Sequence, residues 1–263
     1  MISIVIRNRN EAKALENVLT ILTRVYAADF DEIIVVDNNS TDDSRIIAEK
    51  FNCKIVELVE FTYGKAINLG IETAKNNYIL LLSAHAIPVG KSFFANAMKE
   101  FKINDTIAGL RFINSYDNYK RALNNNFVVK EGLNYGLMAA CAMVNKKVWL
   151  SNKFDEMLLF SEDKEWSARV MGQGYEIRDV NETFFYFLKR NEKSELNRWK
   201  NETIADHQLK NKPFPKVSKI SISFLYKVIV LHPRDFIKKI GYETKLLKSK
   251  FEVKKTLEKL KNN

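Results

Sequence analysis

The chain has 263 residues, 46% of them hydrophobic and 28% charged, which is enough to bury a core without disulfide or metal staples. Its formal charge of +10 is lopsided: 13 of the 42 Lys/Arg but only 4 of the 32 Asp/Glu fall in Pro213–Asn263, leaving 29 against 28 in residues 1–212. So even a balance over the main body argues against a nucleic-acid partner, whereas a basic tail on a neutral body suits an anionic surface such as membrane lipid.

Cys53 and Cys141 match no redox or metal spacing and read as buried thiols in a reducing compartment. The chain opens on a core strand, Ile2 to Ile6, so no signal peptide is expected. No apolar run reaches the roughly 18 residues of a transmembrane helix. The expected organisation is one α/β domain over 1–212 and a basic helical extension over 213–263.

Ile4-Val5-Ile6 is apolar at successive positions, as in a parallel strand buried on both faces. Leu15, Val18, Leu19, Leu22 and Val25 then recur at helical spacing. A second strand runs from Glu32 to Val36 and ends at Asp37; Thr41 or Asp42 caps a helix reaching about Phe51. Lys54–Leu58 is a third strand, Tyr63–Ala74 a helix and Tyr78–Leu82 a fourth strand. Strict alternation of this kind predicts right-handed crossovers and a doubly wound, mostly parallel sheet with helices on both faces. Further on, Ala108–Phe112 and Leu137–Val144 are strand candidates, and residues 113–131, rich in Asn, Tyr and Lys, read as a long loop. Asp163–Gln173 is helical and stops at Gly174; Glu182–Leu188 is strand-like; Ser194–Leu209 is an amphipathic helix.

In such sheets ligands bind beyond the carboxyl ends of the strands. After the first strand come Arg7 and Arg9, suited to phosphate or to stacking on a base, or else simply exposed. After the second comes Asp37, which either accepts hydrogen bonds from a base or ribose or belongs to turn and cap chemistry with Ser40, Thr41 and Asp42. After the fourth come Ser83, Ala84 and His85; the imidazole suits a divalent ion, a phosphate or a structural role. Glu162 and Asp163 open a helix, where the dipole favours acids; a carboxylate there also suits a general base.

In combination these segments resemble family 2 glycosyltransferases of the nucleotide-diphosphosugar transferase (GT-A) fold, over about residues 1–190. Their order is Ser3–Glu11, Ile34–Asp42, Tyr63-Gly64-Lys65-Ala66-Ile67-Asn68-Leu69-Gly70, Ile79–His85, Phe154-Asp155-Glu156 and Glu162-Asp163. The Gly64-Lys65-Ala66 and Ser83-Ala84-His85 forms look most like a bacterial rhamnosyltransferase-like branch. The resemblance implies a nucleotide-sugar donor held by Arg7, Arg9, Asp37, Lys65, Ser83 and His85. It implies Asp163 as the base of an inverting displacement, and Glu162 and Trp166 at the acceptor site. The family's Asp-x-Asp, whose second aspartate holds Mg2+ or Mn2+, is replaced here by Ser83-Ala84-His85. No histidine occurs in Phe184–Arg190 either, where the family often has one. His85 is therefore the candidate ligand for Mn2+ or Mg2+, with arginine and lysine as the alternative source of positive charge.

Two rivals are weaker. A nucleotidyltransferase wants a Gly-rich loop after the first strand, and Asn8-Arg9-Asn10 has no glycine; a non-catalytic scaffold would not need Glu162-Asp163. A glycan or lipid-linked acceptor and a cytoplasmic site at the inner face of the membrane are expected. In the tail, Ile220, Ile222, Phe224, Leu225, Val228, Ile229 and Leu231 precede a run of lysines, which fits either a core helix followed by a solvated charged helix or a surface helix on anionic lipid. A homodimer through the same apolar residues is the alternative.

Overall fold

The opening apolar run forms strand β1 (Ile2–Asn8) in a computed structural model that describes residues 1–188 and 191–261. Strands β2 (Glu32–Asp37), β3 (Lys54–Glu57) and β4 (Tyr78–Ser83) follow, separated by helices α1 (Ala12–Val25), α2 (Ser44–Lys50) and α3 (Tyr63–Thr73). All four strands are parallel, with Arg7 opposite both Val36 and Ser83, and Asn8 opposite Asp37. Their carboxyl ends therefore share one edge of the sheet.

The second half departs from strict alternation. A short strand β5 (Ala86–Val89) leads to α4 (Phe93–Phe101), β6 (Ile107–Phe112), α5 (Tyr116–Asn124) and α6 (Gly132–Tyr135). Then come β7 (Cys141–Asn145), α7 (Lys146–Ser151), α8 (Glu162–Gly172), β8 (Glu176–Val180), β9 (Thr183–Tyr186) and α9 (Glu192–Leu209). The main sheet has the order β3-β2-β1-β4-β7-β6-β8, while β5 and β9 pair antiparallel in a small second sheet. β7 runs antiparallel to both β4 and β6. Its reversal brings the residues just before it, Leu137 to Ala140, to the carboxyl edge of β4, where Ser83 N–H donates to the Ala140 carbonyl (2.9 Å).

Alternation along the central strands splits the core into two layers. Ile4, Ile6, Val35, Leu80 and Leu82 pack toward Leu15, Val18, Leu19 and Leu22 of α1 and Phe93 and Phe94 of α4. Val5, Ile34, Val36, Ile79 and Leu81 pack on the other face with Ile67 and Ile71 of α3, Trp149 of α7 and Trp166 of α8. Each such side chain contributes about 1.5–3 kcal/mol on burial.

Several expectations change. The loop over 113–131 contains α5, which Ser115 caps by accepting the Asn118 N–H (3.3 Å). The strand expected from Leu137 begins only at Cys141, and that expected over Glu182–Leu188 is Thr183–Tyr186. Lys189 and Arg190, the end of the segment read for histidine, lie outside the described residues. The cap of α2 is Asp43 without a side-chain bond; Asp42 instead accepts from Ser44 N–H (3.0 Å) and Ala12 N–H (2.9 Å), tying two loops together.

Residues Met1–Asn211 form one compact unit and Lys212–Asn263 another. The second is helical: α10 (Val217–Tyr226), a π-helical turn Lys227–Leu231 and α11 (His232–Lys261). None of its described side chains is buried. Among the described residues no helix is long and apolar enough to cross a membrane.

Candidate functional site

A cleft of about 870 Å3 opens in the first unit, lined by Arg7 from β1, Tyr63 from α3, Met138–Ala140 before β7, Phe160–Lys164 at the start of α8, Tyr186 from β9 and one side of α9. The floor is built around the backbone of one residue, Ala139. The Ala139 carbonyl accepts Arg7 Nη2 (2.9 Å) and the Ala139 N–H donates to Asp163 Oδ2 (2.9 Å). Asp163 Oδ1 accepts the N–H of Lys164 (2.8 Å), so each carboxylate oxygen keeps a lone pair for the cleft. Lys164 Nζ donates to the carbonyls of Gly136 and Leu137, both at 2.8 Å, and fixes the same turn from the other side.

The turn into α8 is conformationally tight. Ser161 has φ of 64°, in the left-handed region that a residue with a Cβ disfavours. It delivers Glu162 and Asp163 to the helix N-terminus, with Glu165 completing an acidic first turn. Glu162 is 5% exposed, and Arg7 Nη1 reaches its Oε1 only at 3.7 Å. Burial, and next the charge of Asp163, push the Glu162 carboxyl up to about 7 against the opposing pull of Arg7. Arg7 lies over the Tyr63 ring at 5.3 Å. Its Nε and Nη1 are buried with no hydrogen-bond partner among the described residues. A buried guanidinium with idle donors at a cleft floor suits an anionic ligand group.

Arg7, Glu162 and Asp163 thus meet in the cleft; the other expected donor residues lie along the strand edge outside its lining. Asp37 is buried and accepts from Ser40 Oγ (2.6 Å), Ser40 N–H (3.0 Å) and Asn8 Nδ2 (3.3 Å), the contacts of the turn alternative. Arg9 is exposed. Lys65 pairs with Glu60 at 3.0 Å. Ser83 Oγ accepts the His85 N–H (3.4 Å). His85 is 8% exposed, with its ring edge-on to Tyr186 and Phe187.

Trp166 does not meet its expectation. It is fully buried, stacks on Phe154 (4.9 Å between centroids, 16°) and donates from Nε1 to the Asn152 carbonyl. One helical turn from buried Glu162, it belongs to the core side of α8 and does not line the cleft. The Tyr63–Gly70 and Phe154-Asp155-Glu156 motifs also serve each other. Asn68 donates to the Phe154 carbonyl and to Glu156 Oε1, both at 2.9 Å, and accepts from Trp149 Nε1 and Phe154 N–H. A Cβ on Gly64 would sit 2.2 Å from the Asp155 carbonyl oxygen, so this approach requires glycine.

Among the described residues no three His, Cys, Asp or Glu side chains gather as a metal site. One pair stands at the strand edge: His85 Nε2 and Glu11 Oε1 are 3.1 Å apart. Two ligands at right angles on an octahedral ion with bonds of about 2.1 Å are about 3.0 Å apart, so the pair fits two adjacent positions. One nitrogen and one oxygen donor suit Mn2+ better than Mg2+. Sequence reasoning missed Glu11, Lys164, Tyr63 and the whole contribution of α9. Of these, Glu11 and Tyr63 carried signal, each standing in one of the family-like motifs but given no role.

Residues 3–185 match the family model described as glycosyl transferase family 2. No curated protein sequence matches the chain. Among solved structures, a mannosyltransferase from Pyrobaculum calidifontis in complex with GDP-Man and Mn2+ gives a TM-score of 0.64 at 17% identity, covering 81% of this chain and 65% of that one. This chain thus spans just under two thirds of that enzyme's length. Glucosyl-3-phosphoglycerate synthase from Mycobacterium tuberculosis in complex with phosphoglyceric acid gives 0.59 at 16% identity, covering 81% of each chain. The same synthase with Mn2+, UDP and glucosyl-3-phosphoglycerate gives 0.58 at 17%, covering 82% and 81%. At these identities the likeness is one of fold, and the fold is GT-A. With the family model matching well over half of its residues, the chain belongs to glycosyl transferase family 2.

Proposed function

We propose that the chain moves a hexosyl or deoxyhexosyl group from a nucleoside-diphosphate sugar to a hydroxyl of a glycan or lipid-linked acceptor, with inversion at the anomeric carbon. The observation that carries this reading is the anchoring of Arg7 and Asp163 on the backbone of one residue, Ala139, at the cleft floor. Asp163 takes the proton of the acceptor hydroxyl as its oxygen bonds to the anomeric carbon. The bond from that carbon to the diphosphate breaks, and the nucleoside diphosphate leaves with the electron pair. Arg7, which lines the cleft and keeps idle N–H groups, would meet the departing charge. Glu162 borders the acceptor.

Arg9, Asp37, Lys65, Ser83 and His85 bind the donor along the strand edge. The solved structures of like fold that carry Mn2+ with nucleotides support a divalent ion here too. His85 with Glu11 would hold it, and when bound it would neutralise diphosphate charge. The experiment is a thermal-shift panel of UDP-, dTDP-, GDP- and CMP-sugars with Mn2+, followed by a transfer assay. One donor is expected to raise the melting temperature by mass action. No stabilisation by any member, together with no donor turnover, would sink the reading.

The boundary at 212 separates this catalytic unit from the basic extension 213–263. Exposed Ile220, Ile222, Phe224, Leu225, Val228 and Ile229 beside the lysine-rich α11 favour peripheral contact with anionic lipid at the inner face of a bacterial membrane. There the enzyme would serve cell-surface polysaccharide synthesis. Co-sedimentation with anionic but not neutral vesicles, lost at high salt and on truncation at Pro213, is expected. Equal binding to both vesicle types would remove the electrostatic contact, and binding to neither would favour a homodimer through the same residues.

A further inference from the structure

Helix α9 lies beyond the family-matched residues, which end at 185, yet it borders the same cleft. Helical spacing puts Ser194, Asn197, Arg198, Asn201 and Glu202 on one stripe, and all five line the cleft. Leu196 and Trp199 fall on the opposite side of the helix and are 60% and 62% exposed. A surface helix of a globular protein usually turns its apolar stripe inward and its polar stripe to water. Here the stripe that lines the cleft is polar and open to solvent, while Leu196 and Trp199 find no core, so the cleft-lining stripe is suited to a polar occupant.

The chemistry of that stripe narrows the occupant. Its charges are already matched: Arg198 Nε binds Glu202 Oε1 at 2.5 Å, and one turn on Lys210 pairs with Asp206. Asn197 and Asn201 make no side-chain hydrogen bond among the described residues. Each amide offers two donors and an acceptor without net charge. Around them Tyr63, Phe160 and Tyr186 supply aromatic surface, and Tyr63 meets Phe160 edge-on at 5.2 Å. Neutral amides beside aromatic rings match a molecule with many hydroxyls and apolar ring faces. The cleft volume of about 870 Å3 lies in the upper part of the range of about 300–1,000 Å3 for ligand sites.

We propose that α9 is the acceptor-recognition element, and that it selects a neutral oligosaccharide by hydrogen bonds from Asn197 and Asn201. This rests on the glycosyltransferase reading and narrows its acceptor to exclude small phosphorylated or carboxylated molecules. The test uses the full-length protein on an array of immobilised glycans, neutral and anionic. Wild type is expected to bind a subset of neutral glycans, and Asn197→Ala/Asn201→Ala to lose that binding by tenfold or more. The Leu196→Ala/Trp199→Ala variant, altered on the opposite face of the same helix, is expected to keep the wild-type profile. Binding confined to anionic glycans, binding to no neutral glycan, or an unchanged profile in the asparagine variant overturns the proposal. Nucleotide-sugar stabilisation of the same preparations separates the two failures. If it persists, only the acceptor assignment falls; if it is absent, the enzymatic reading falls as well.

Discussion

Along the strand edge Asp37, Lys65 and His85 each have a protein partner, in Ser40, Glu60 and Glu11, whereas at the cleft Arg7 and Glu162 do not satisfy each other. Arg7 keeps two buried N–H donors without partners, and Glu162 is buried with its nearest cation at 3.7 Å. Unpaired buried polar groups cost about 1–3 kcal/mol each. Asn8 Oδ1 at the strand edge and atoms of Ser44, Arg111, Arg121 and Asp179 are left in the same state, but of these residues only Arg7 lines the cleft. On the proposed reading the strand edge is held by its own turn contacts around Asp37, and a ligand would complete the floor.

The comparison can be broken at the floor first. Asp163→Asn is expected to lower turnover by roughly 10²-fold or more while leaving donor-induced stabilisation intact. Steady-state rates beside melting shifts would show it, and a wild-type rate would remove Asp163 as the base. The next effect is a pH dependence. Unfolded, the Glu162 carboxyl releases its proton near its ordinary 4.5; folded, burial holds the proton to about 7. Between these values the folded state binds more protons, so its stability falls as pH rises through this window. Glu162→Gln keeps the shape without the ionisation. It is expected to lose that slope and to melt higher than wild type at pH 8. A difference between variant and wild type that stays constant from pH 4.5 to 8 would mean Glu162 ionises normally.

The smallest effect belongs to the strand edge. His85→Ala removes one of two candidate ion ligands and leaves the rest of the edge paired. The Mn2+-dependent part of donor stabilisation should then disappear, and the metal-free part should stay. If the Mn2+ response survives in the variant, the His85–Glu11 pair is a structural contact and the ion, if any, binds elsewhere.

Strands β1, β2 and β4 were legible because parallel strands buried on both faces are written as apolar runs, and helices α1 and α3 between them keep a 3.6-residue period. Their ends located Arg7, Asp37 and His85 correctly on one sheet edge. Strand β5 was not legible: Ala86–Val89 is short, holds Pro88, and pairs with residues almost a hundred positions away. Helix α5 hid for another reason, since only Ala122 of it is buried and its composition looks like a loop. Trp166 misled because it shares the helical stripe of Glu162 and Asp163 but sits one turn further along α8, where that stripe has passed from the cleft into the core against Phe154. The polar stripe of α9 reads, by composition, as a solvated surface. Only the cleft beside it gives that stripe a different meaning.

The C-terminal helices have a calorimetric consequence. Unfolding usually raises heat capacity by about 12–15 cal/mol/K per residue, because hidden apolar surface becomes wet. In Val217–Lys261 no described side chain is hidden by the segment itself. Melting it costs helix enthalpy but wets little new apolar area, so this stretch adds residues to the chain without adding its share of heat capacity. Whatever surface comes to cover Ile220, Phe224 and Ile229 should restore the missing increment, and the size of that increment would measure how much of the helix has been dried.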